Sequence, residues 1–364
     1  MQQSPVHDRS IPTLDGWRAL AVLWVCGFHG TRMLFQPGGI LPNRYVQTLA
    51  AQGELGVEIF FGLSGFLITT LLLREQERSG KVNLAAFYKR RAFRIFPAAW
   101  VYLGAILLLE AASLIPSLSK SEITSSLFFW RNYSSPGPAT GHYWSLSVEE
   151  HFYLLWPALF HFIPNKKKLC MVSITAALAV AVWRVIDNRF QIAHNAFPII
   201  PAWQFRTDLK IDAILWGCIA ALTLPEIKSV MMKIGAFRAQ IVAFSGATLF
   251  ALLRFFEIPF AELGLAVFIP AMIISTIVSP HTLYGRMFEL SGLRFIGRIS
   301  FSLYLWQQVF LYVWAPLYPH PDGYGLIGWL ILAGTMLCAL ASYYLVEQPM
   351  IALGRRLTTQ GRVA

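Results

Sequence analysis

Apolar runs of about 20 residues recur along the whole chain, separated by short segments that hold most of the charged side chains. A run of this length crosses the hydrocarbon core of a bilayer as an α-helix. The pattern therefore predicts an all-α, polytopic membrane protein with about ten transmembrane helices. The predicted spans lie near residues 14–35, 53–73, 93–115, 143–163, 169–187, 209–224, 239–256, 260–280, 293–315 and 324–346.

The basic residues predict the orientation of these helices. The intervening segments 36–52 and 116–142 carry few charges and are richer in Pro, Gly, Ser and Asn. Cytoplasmic loops of membrane proteins carry an excess of Lys and Arg. We therefore expect both termini to be cytoplasmic, and residues 1–364 to form one transmembrane domain with no appended soluble domain. Lys and Arg cluster in alternate segments, namely 74–92, 164–168, 225–238, 281–292 and 347–364.

The composition agrees with a membrane protein and argues against a nucleic-acid partner. The chain is 56% hydrophobic and only 13% charged, with a mean hydropathy of +0.53, whereas an ordinary soluble domain is about 25% charged. The net charge of +11 arises from basic clusters between apolar runs rather than from one basic surface. The four cysteines lie in or beside apolar runs without the spacing of metal ligands, so no metal site is expected.

Ionisable side chains within predicted spans are costly in a bilayer and are the first place to look for chemistry. In the first span Arg18 and His29 are eleven residues apart, close to three helical turns, which puts both on one face and roughly 16 Å apart. A histidine exchanges a proton near neutral pH and suits the role of a general base. The same spacing fits a structural histidine that is hydrogen-bonded within a helix bundle equally well.

Carboxylates occur in two further predicted spans. Glu58 lies in the second span and Glu149 and Glu150 in the fourth, and both spans run inwards, so we expect these groups at the depth of His29. A carboxylate beside a histidine fixes its tautomer and stabilises the imidazolium that forms on proton uptake. The alternative is a role in helix contacts or at the outer interface, which we favour for Glu150 and His151.

A basic cluster lies at the cytoplasmic end of the third predicted span. Arg91 and Arg94 are three residues apart and share one helix face. Guanidinium groups match the oxygen geometry of phosphates, so one interpretation is a phosphate site at the inner face. The other is that the cluster only sets the topology. A role in topology explains Lys89 and Arg90 well. It explains Arg94 less well, because Arg94 lies inside the predicted span, where a charge is costly unless it is paired.

Seven stretches of the chain combine apolar residues with glycines, aromatic residues and isolated charges: LDGWRALAVLWVCGFH, GVEIFFGLSGFLIT, YKRRAFRIFP, HYWSLSVEEHFYLLWP, DAILWG, ISFSLYLWQQ and EQP. These stretches resemble the successive motifs of the acyltransferase-3 family, in the same order. The resemblance extends over the whole chain. It implies a bacterial inner-membrane O-acyltransferase that moves an acyl group from cytoplasmic acyl-CoA, usually acetyl-CoA, to a hydroxyl of an extracytoplasmic glycan or glycolipid. Lipopolysaccharide O-antigen and exopolysaccharide are typical acceptors.

The resemblance also implies roles for individual residues. Arg18 and His29 match the paired Arg and His of the family's first helix, and Arg91 and Arg94 match its Arg-x-x-Arg pair. Glu149 matches the carboxylate of its fourth helix. The resemblance thus suggests that the arginines act on the acyl-CoA side of the reaction and that His29 and Glu149 act at the acceptor.

The resulting hypothesis has His29 as the general base on the acceptor hydroxyl, oriented by Glu149 or Glu58. In this hypothesis Arg91 and Arg94 hold the CoA phosphates, while Arg18 lines the path of the pantetheine arm. The transferred group is the acyl group of acetyl-CoA, which acts as a co-substrate, and no metal takes part.

The chain departs from the family pattern at three positions, and one alternative function remains open. His151 stands where many members have Gln, Gln307 where they have His, and Lys210 where Arg is common. A glutamine cannot titrate, so position 307 cannot supply an acid or a base. The alternative is a polytopic transporter of a small solute or glycan precursor, although the sequence lacks the paired half-repeats with broken helices that are typical of many transporters.

Overall fold

The structure is a computed structural model that describes residues 11–34, 52–134, 137–198, 204–314 and 325–359. Within these ranges the regular elements are helices and no strand occurs, which confirms the all-α class. The predicted outer segment 36–52 lies almost wholly outside the described residues, as do both chain ends, 1–10 and 360–364.

The helices follow one another closely along the chain. Among the described residues three short elements differ from the α-helices, namely a 3-10 helix at Arg131–Tyr133 and π-helical segments at Gln308–Trp314 and Tyr343–Glu347. The α-helices are α1 Pro12–Leu34, α2 Glu54–Ser79, α3 Leu84–Ala111, α4 Lys120–Leu127, α5 Tyr143–Phe162, α6 Lys166–Phe190, α7 Ile192–Ala196, α8 Thr207–Leu222, α9 Leu224–Ile234, α10 Ala236–Phe255, α11 Ala261–Val278, α12 Leu283–Phe288, α13 Ser291–Arg298, α14 Ser300–Gln307, α15 Gly325–Ser342 and α16 Gln348–Thr359.

The protein is a multi-pass membrane protein. In the described part of the chain six helical segments are long and apolar enough to cross a bilayer: α2, α3, α6, α10, α11 and Gly328–Thr358. A seventh is added if α8 and α9, which are bent by 73° at their junction, form one span. Helices occupy all ten predicted positions, but a count of ten spans is not confirmed, and neither is the orientation of the termini.

Some predicted spans are not among the helices that are long and apolar enough to cross a bilayer, and these have polar or interrupted sequences. Helices α1 and α5 carry the ionisable residues on which the functional hypothesis rests, and these lower their mean hydropathy. Residues 291–314 are divided among α13, α14 and a π-helical segment. A π-helical turn inside a longer helix is frequently found at a functional site.

Helix α2 lies at the centre of the bundle because its glycines let neighbouring backbones come close. A Cβ atom on Gly65 would clash with the carbonyl oxygen of Ile214 in α8, and one on Gly217 of α8 would clash with the carbonyl oxygen of Gly62. Helix α1 approaches α2 at Gly56 in the same way. Small residues at such crossings are typical of membrane helices, where close van der Waals packing drives association. The contacts fix α2 against both α1 and α8.

The segment between α3 and α5 is fixed over one end of the bundle by a buried arginine. The guanidinium of Arg131 donates hydrogen bonds to Glu122 Oε1 at 3.2 Å, Ser134 Oγ at 3.1 Å and Thr140 Oγ1 at 3.1 Å. Arg131 is fully buried, so these bonds satisfy a charge that would otherwise be costly. They hold the chain just before α5, including His142, against the helix ends.

Candidate functional site

Two cavities in the described part of the bundle are lined by predicted site residues. One, of about 1140 Å³, lies at the end of the bundle that contains His29, and we call it the His29 cavity. The other, of about 100 Å³, lies towards the opposite end, and we call it the Arg91 cavity. Val57 and Tyr304 line both, so the cavities meet at these two side chains. The predicted site residues that line a cavity are His29 in the first, and Arg18, Arg91, Arg94 and Glu149 in the second.

His29 is oriented by an amide rather than by a carboxylate. Its Nδ1 lies 2.7 Å from Oε1 of Gln307, which is fully buried. The side-chain nitrogen of Gln307 donates to the carbonyl oxygen of Tyr304 at 3.3 Å, so the amide oxygen faces His29 and accepts from Nδ1–H. A neutral imidazole with its proton on Nδ1 keeps a lone pair on Nε2. The arrangement therefore gives the tautomer that a general base requires.

The predicted contact between Glu58 and His29 is wrong. Glu58 is buried and its Oε1 accepts a hydrogen bond from Arg254 Nη1 at 2.9 Å. Its second oxygen, Oε2, has no hydrogen-bond partner among the described residues. Glu58 turns towards Arg254 because a carboxylate inside an apolar bundle is stabilised far more by a cation than by a neutral imidazole.

Glu58 belongs to an ion-pair network that the sequence analysis missed. Glu54 accepts from Arg254 at 2.7 Å and from Lys210 at 2.9 Å, and Lys210 also contacts Glu262 at 3.1 Å. Arg184 Nε lies 3.1 Å from the same Glu262. The network joins α2, α6, α8, α10 and α11. The signal in the sequence was the presence of these charges within apolar runs, but their pairing depends on helix packing.

Asp212, the first residue of the DAILWG stretch, extends this network. Its two carboxylate oxygens accept from Arg184 Nη1 and Nη2 at 2.8 and 2.9 Å. Such a bidentate pair fixes both side chains and adds geometric specificity. Asp212 thereby fixes Arg184 in the wall of the His29 cavity, and it has a positioning role rather than a direct contact with the cavity.

The prediction that Glu149 lies beside His29 is also wrong. Its Oε1 accepts from Ser64 Oγ at 2.7 Å, and its Oε2 accepts from Tyr153 Oη at 3.2 Å. Ser64 is six residues beyond Glu58 along α2, about 9 Å further into the bundle. The tilt and register of α5 therefore place Glu149 in the Arg91 cavity, with the arginines rather than with His29.

The structure brings the three predicted arginines together. Arg18 of α1 and Arg91 and Arg94 of α3 all line the Arg91 cavity. Arg91 lies over the ring of Tyr153, with Cζ 4.2 Å from the ring centroid, and Arg18 contacts Asp15 at 3.5 Å. Within the described ranges neither Arg91 nor Arg94 has a carboxylate within 4 Å. A cavity with guanidinium groups that lack carboxylate partners is suited to an anion.

Tyr304 and His142 line the His29 cavity, and the sequence analysis did not single them out. The hydroxyl of Tyr304 forms a hydrogen bond with Ser145 Oγ at 2.6 Å and donates to the carbonyl oxygen of His142 at 3.0 Å. The His142 side chain is buried, and neither ring nitrogen has a hydrogen-bond partner in the described part of the chain. The signal for both residues was their place in the stretches HYWSLSVEEHFYLLWP and ISFSLYLWQQ.

Among the described residues no group of three or more His, Cys, Asp or Glu side chains is arranged to hold a metal ion. The four cysteines are free thiols that lie far apart along the chain. That the reaction needs no metal stays a prediction.

We predict that Arg254→Leu destabilises the protein by about 3–5 kcal/mol, because it leaves the buried carboxylate of Glu58 without its cation and leaves Glu54 paired with Lys210 alone. Adding Glu58→Gln should recover part of this loss, because the neutral amide no longer needs the cation. Thermal unfolding of the detergent-purified protein measures both effects. Arg189→Leu is the matched control, since Arg189 lines the same cavity but is exposed. Equal destabilisation by Arg189→Leu and Arg254→Leu would contradict the importance of the network.

Comparison with known proteins finds several related O-acetyltransferases. The chain is 27% identical over 385 residues to the peptidoglycan O-acetyltransferase OatA of Listeria monocytogenes, with 96% of this chain and 57% of the relative covered. It is 30% identical over 338 residues to the O-acetyltransferase OatA of Staphylococcus aureus, with 82% of this chain and 50% of the relative covered. It is 26% identical over 387 residues to the putative peptidoglycan O-acetyltransferase YrhL of Bacillus subtilis, with 98% of this chain and 57% of the relative covered.

The chain thus spans about half the length of these curated relatives. No solved structure matches it. The model of the acyltransferase domain family, Acyl_transf_3, matches residues 11–346, which is nearly the whole chain. This protein therefore belongs to the acyltransferase-3 family.

Proposed function

We propose that this protein is an O-acyltransferase of the bacterial inner membrane, which moves an acyl group, most simply acetyl, from cytoplasmic acyl-CoA to a hydroxyl of an extracytoplasmic glycan. The observation that carries the proposal is the pair of cavities that meet at Val57 and Tyr304. One cavity is lined by arginines and the other by a histidine with the tautomer of a base. Membership of the acyltransferase-3 family supplies the class of reaction.

The Arg91 cavity is proposed as the donor site. The phosphates of acyl-CoA carry several negative charges, and the guanidinium groups of Arg91 and Arg94 match them in charge and geometry. Arg18 lines the same cavity and lies along the path of the pantetheine arm. The basic clusters of the sequence predict that this end of the bundle faces the cytoplasm, where acyl-CoA is found.

The His29 cavity is proposed as the acceptor site. Its volume of about 1140 Å³ exceeds that of a typical small-molecule pocket, about 300–1000 Å³, and leaves room for sugar units of a longer glycan. Trp144 stacks on Phe205, with ring centroids 4.4 Å apart, and the two rings form an aromatic wall. Asn188 and Gln204 supply hydrogen-bonding groups to the same cavity. The names of two relatives point to peptidoglycan, which joins lipopolysaccharide O-antigen and exopolysaccharide as a candidate acceptor.

The proposed reaction is a direct transfer. His29 Nε2 takes the proton of the acceptor hydroxyl while the oxygen of that hydroxyl attacks the thioester carbonyl carbon. The carbon–sulfur bond then breaks, the acyl ester forms, and the imidazolium returns its proton to the departing CoA thiolate. Gln307 holds the ring during both steps, but as a neutral group it stabilises the imidazolium less than a carboxylate would.

The two glutamates take positioning roles in this proposal. Glu149 accepts hydrogen bonds from Ser64 and Tyr153 in the wall of the donor cavity, and Arg91 rests on the ring of this Tyr153. Glu58 holds Arg254, which lines the acceptor cavity. Neither glutamate contacts the reacting atoms through His29, in contrast to the hypothesis that the sequence suggested.

The experiment that tests the proposal uses vesicles in which all copies of the protein have one orientation. Radiolabelled acetyl-CoA added to the face that carries the 74–92 loop should acetylate glycan on the opposite face, and acetyl-CoA added to the other face should not. Arg18→Leu should lower the rate strongly, although Arg18 does not reach the acceptor cavity. Product on the same face as the donor would move the active site to the cytoplasmic surface. Solute uptake without acyl transfer would favour a transporter.

We predict that His29→Ala lowers glycan acetylation by about a thousandfold at normal abundance, because a general base contributes about 10²–10⁴ to the rate. Gln307→Leu should lower the rate less, since it removes only the group that orients the ring. Mass spectrometry of ester-linked acetyl groups on peptidoglycan and lipopolysaccharide measures both. His161→Ala is the matched control, because His161 is an exposed histidine at the far end of α5. Acetylation at the wild-type level in His29→Ala would refute the general base.

We predict that Arg91→Ala and Arg94→Ala each weaken CoA binding by about tenfold or more, because each removes a charged contact to phosphate. Isothermal titration calorimetry with CoA measures the affinity. Arg90→Ala is the matched control, since Arg90 is a neighbour on α3 that pairs with Glu75 at 3.4 Å and does not line the cavity. Equal affinity in all three variants would leave Arg91 and Arg94 with a role in topology alone.

A further inference from the structure

The Arg91 cavity has room for only part of the proposed donor. Its volume is about 100 Å³, whereas a pocket that encloses a small-molecule ligand measures about 300–1000 Å³. Acyl-CoA consists of an acyl-pantetheine arm, a diphosphate, and a ribose that carries a further phosphate and an adenine. The arm is thin and reaches towards His29, so the nucleotide end has to lie outside the cavity, against the face of the bundle where the cavity begins.

Helix α13 lies next to this cavity. Ser300 and Phe301, which follow α13 directly, line the cavity. Gly297 of α13 packs so closely on the start of α1 that a Cβ atom at this position would clash with the carbonyl oxygen of Asp15. Arg18 is less than one turn beyond Asp15 on α1 and also lines the cavity. Two separate connections therefore place α13 beside the cavity.

Two arginines of α13 have no acidic partner in the described part of the chain. Arg294 and Arg298 are four residues apart and lie on the same side of the helix. Arg298 is exposed, and its Cζ lies 5.9 Å from the centroid of the Phe295 ring. Arg294 is half-buried, and its Nε is buried without a hydrogen-bond partner among the described residues. Neither guanidinium group has a carboxylate oxygen within 4.0 Å in the ranges that the structure describes.

A role in membrane topology does not fully account for Arg294. Arginines that only orient a membrane protein need to lie on the cytoplasmic side, where water can solvate them. Burying part of a guanidinium group without a hydrogen-bond acceptor costs free energy. Such a donor in a folded protein calls for an explanation. An anion that binds to α13 would supply the acceptor that Arg294 lacks.

The order of charged groups along acyl-CoA matches the order of the arginines outwards from the cavity. The diphosphate is attached to the pantetheine arm, so it lies nearest to Arg91 and Arg94. The ribose phosphate lies on the far side of the diphosphate and therefore beyond the cavity. Arg298 is two residues before Ser300 in the cavity wall, and Arg294 lies about 6 Å further along the helix. Guanidinium groups match the oxygen geometry of a phosphate.

We propose, on the basis of the proposed function, that Arg294 and Arg298 bind the ribose phosphate of acyl-CoA beside the mouth of the Arg91 cavity. The donor site then has an inner part, formed by Arg91 and Arg94 for the diphosphate, and an outer part on α13. The outer part recognises the phosphate monoester that distinguishes CoA from dephospho-CoA. The protein thereby selects its donor by the nucleotide end as well as by the thioester.

The experiment compares CoA with dephospho-CoA, which differ only in the ribose phosphate. Isothermal titration calorimetry on the detergent-purified full chain measures the affinity for each ligand. The wild-type protein should bind CoA at least about tenfold more tightly than dephospho-CoA, because hydrogen bonds between charged groups are the strong ones.

Substitutions on α13 should affect only one of the two ligands. Arg294→Gln and Arg298→Gln should each weaken CoA binding by about tenfold and leave the affinity for dephospho-CoA unchanged. Arg91→Ala should instead weaken both ligands by the same factor, because both contain the diphosphate. Arg286→Gln is the matched control, since Arg286 is an exposed arginine of the neighbouring helix α12 that does not line the cavity. It should leave both affinities unchanged.

The two variants make the test robust to misfolding. Arg298 is exposed, so Arg298→Gln remains informative if Arg294→Gln is not recovered as a folded protein. Equal affinity of the wild-type protein for CoA and dephospho-CoA would overturn the outer part of the site, as would variants of α13 that retain the wild-type preference. Binding of neither ligand by the wild-type protein would instead overturn the proposed function.

Discussion

The structure depends above all on the cost of an unpaired charge in an apolar environment. At the His29 end, the buried carboxylate of Glu58 and the partly buried carboxylates of Glu54 and Glu262 each contact a cation at 2.7–3.1 Å. Breaking one buried pair by removing a partner costs about 3–5 kcal/mol, a large part of the stability of a typical domain, about 5–15 kcal/mol. The network therefore ties together α2, α6, α8, α10 and α11, of which only α10 and α11 are consecutive in the chain, and it shapes the wall of the larger cavity.

The opposite end follows the same rule in a different way. Arg91 and Arg94 line the same small cavity, and Arg91 rests on the ring of Tyr153. In the described part of the chain no carboxylate oxygen lies within 4 Å of either guanidinium group. Like charges held together in a confined space raise the free energy of the folded protein until an anion binds. The protein thus accepts a local cost where the proposed donor binds, and it avoids such a cost in the network beside His29.

Helix α2 connects these two environments. Its glycines allow α1 and α8 to pack against its backbone, and this close packing leaves the residues between them little room to move. Glu58 near its start belongs to the ion network, the neighbouring Val57 lines both cavities, and Ser64, about two turns beyond Val57, binds Glu149. One rigid helix therefore sets the distance between the proposed donor and acceptor sites, and the reaction depends on its position relative to α1.

The sequence by itself determined the all-α membrane class, the family, and the residues that are costly in a bilayer, because apolar run length and isolated charges are local features of the chain. It also indicated the shared face of Arg91 and Arg94, since residues three apart in a helix lie on one side. The partners of His29, Glu58 and Glu149 were decided only by the tertiary structure. The depth of a residue along its own helix does not fix the rotation and tilt of that helix, and these decide that His29 meets Gln307 while Glu58 meets Arg254. That Val57 and Tyr304 line both cavities is likewise a property of packing, because these side chains are 247 positions apart and no sequence pattern relates them.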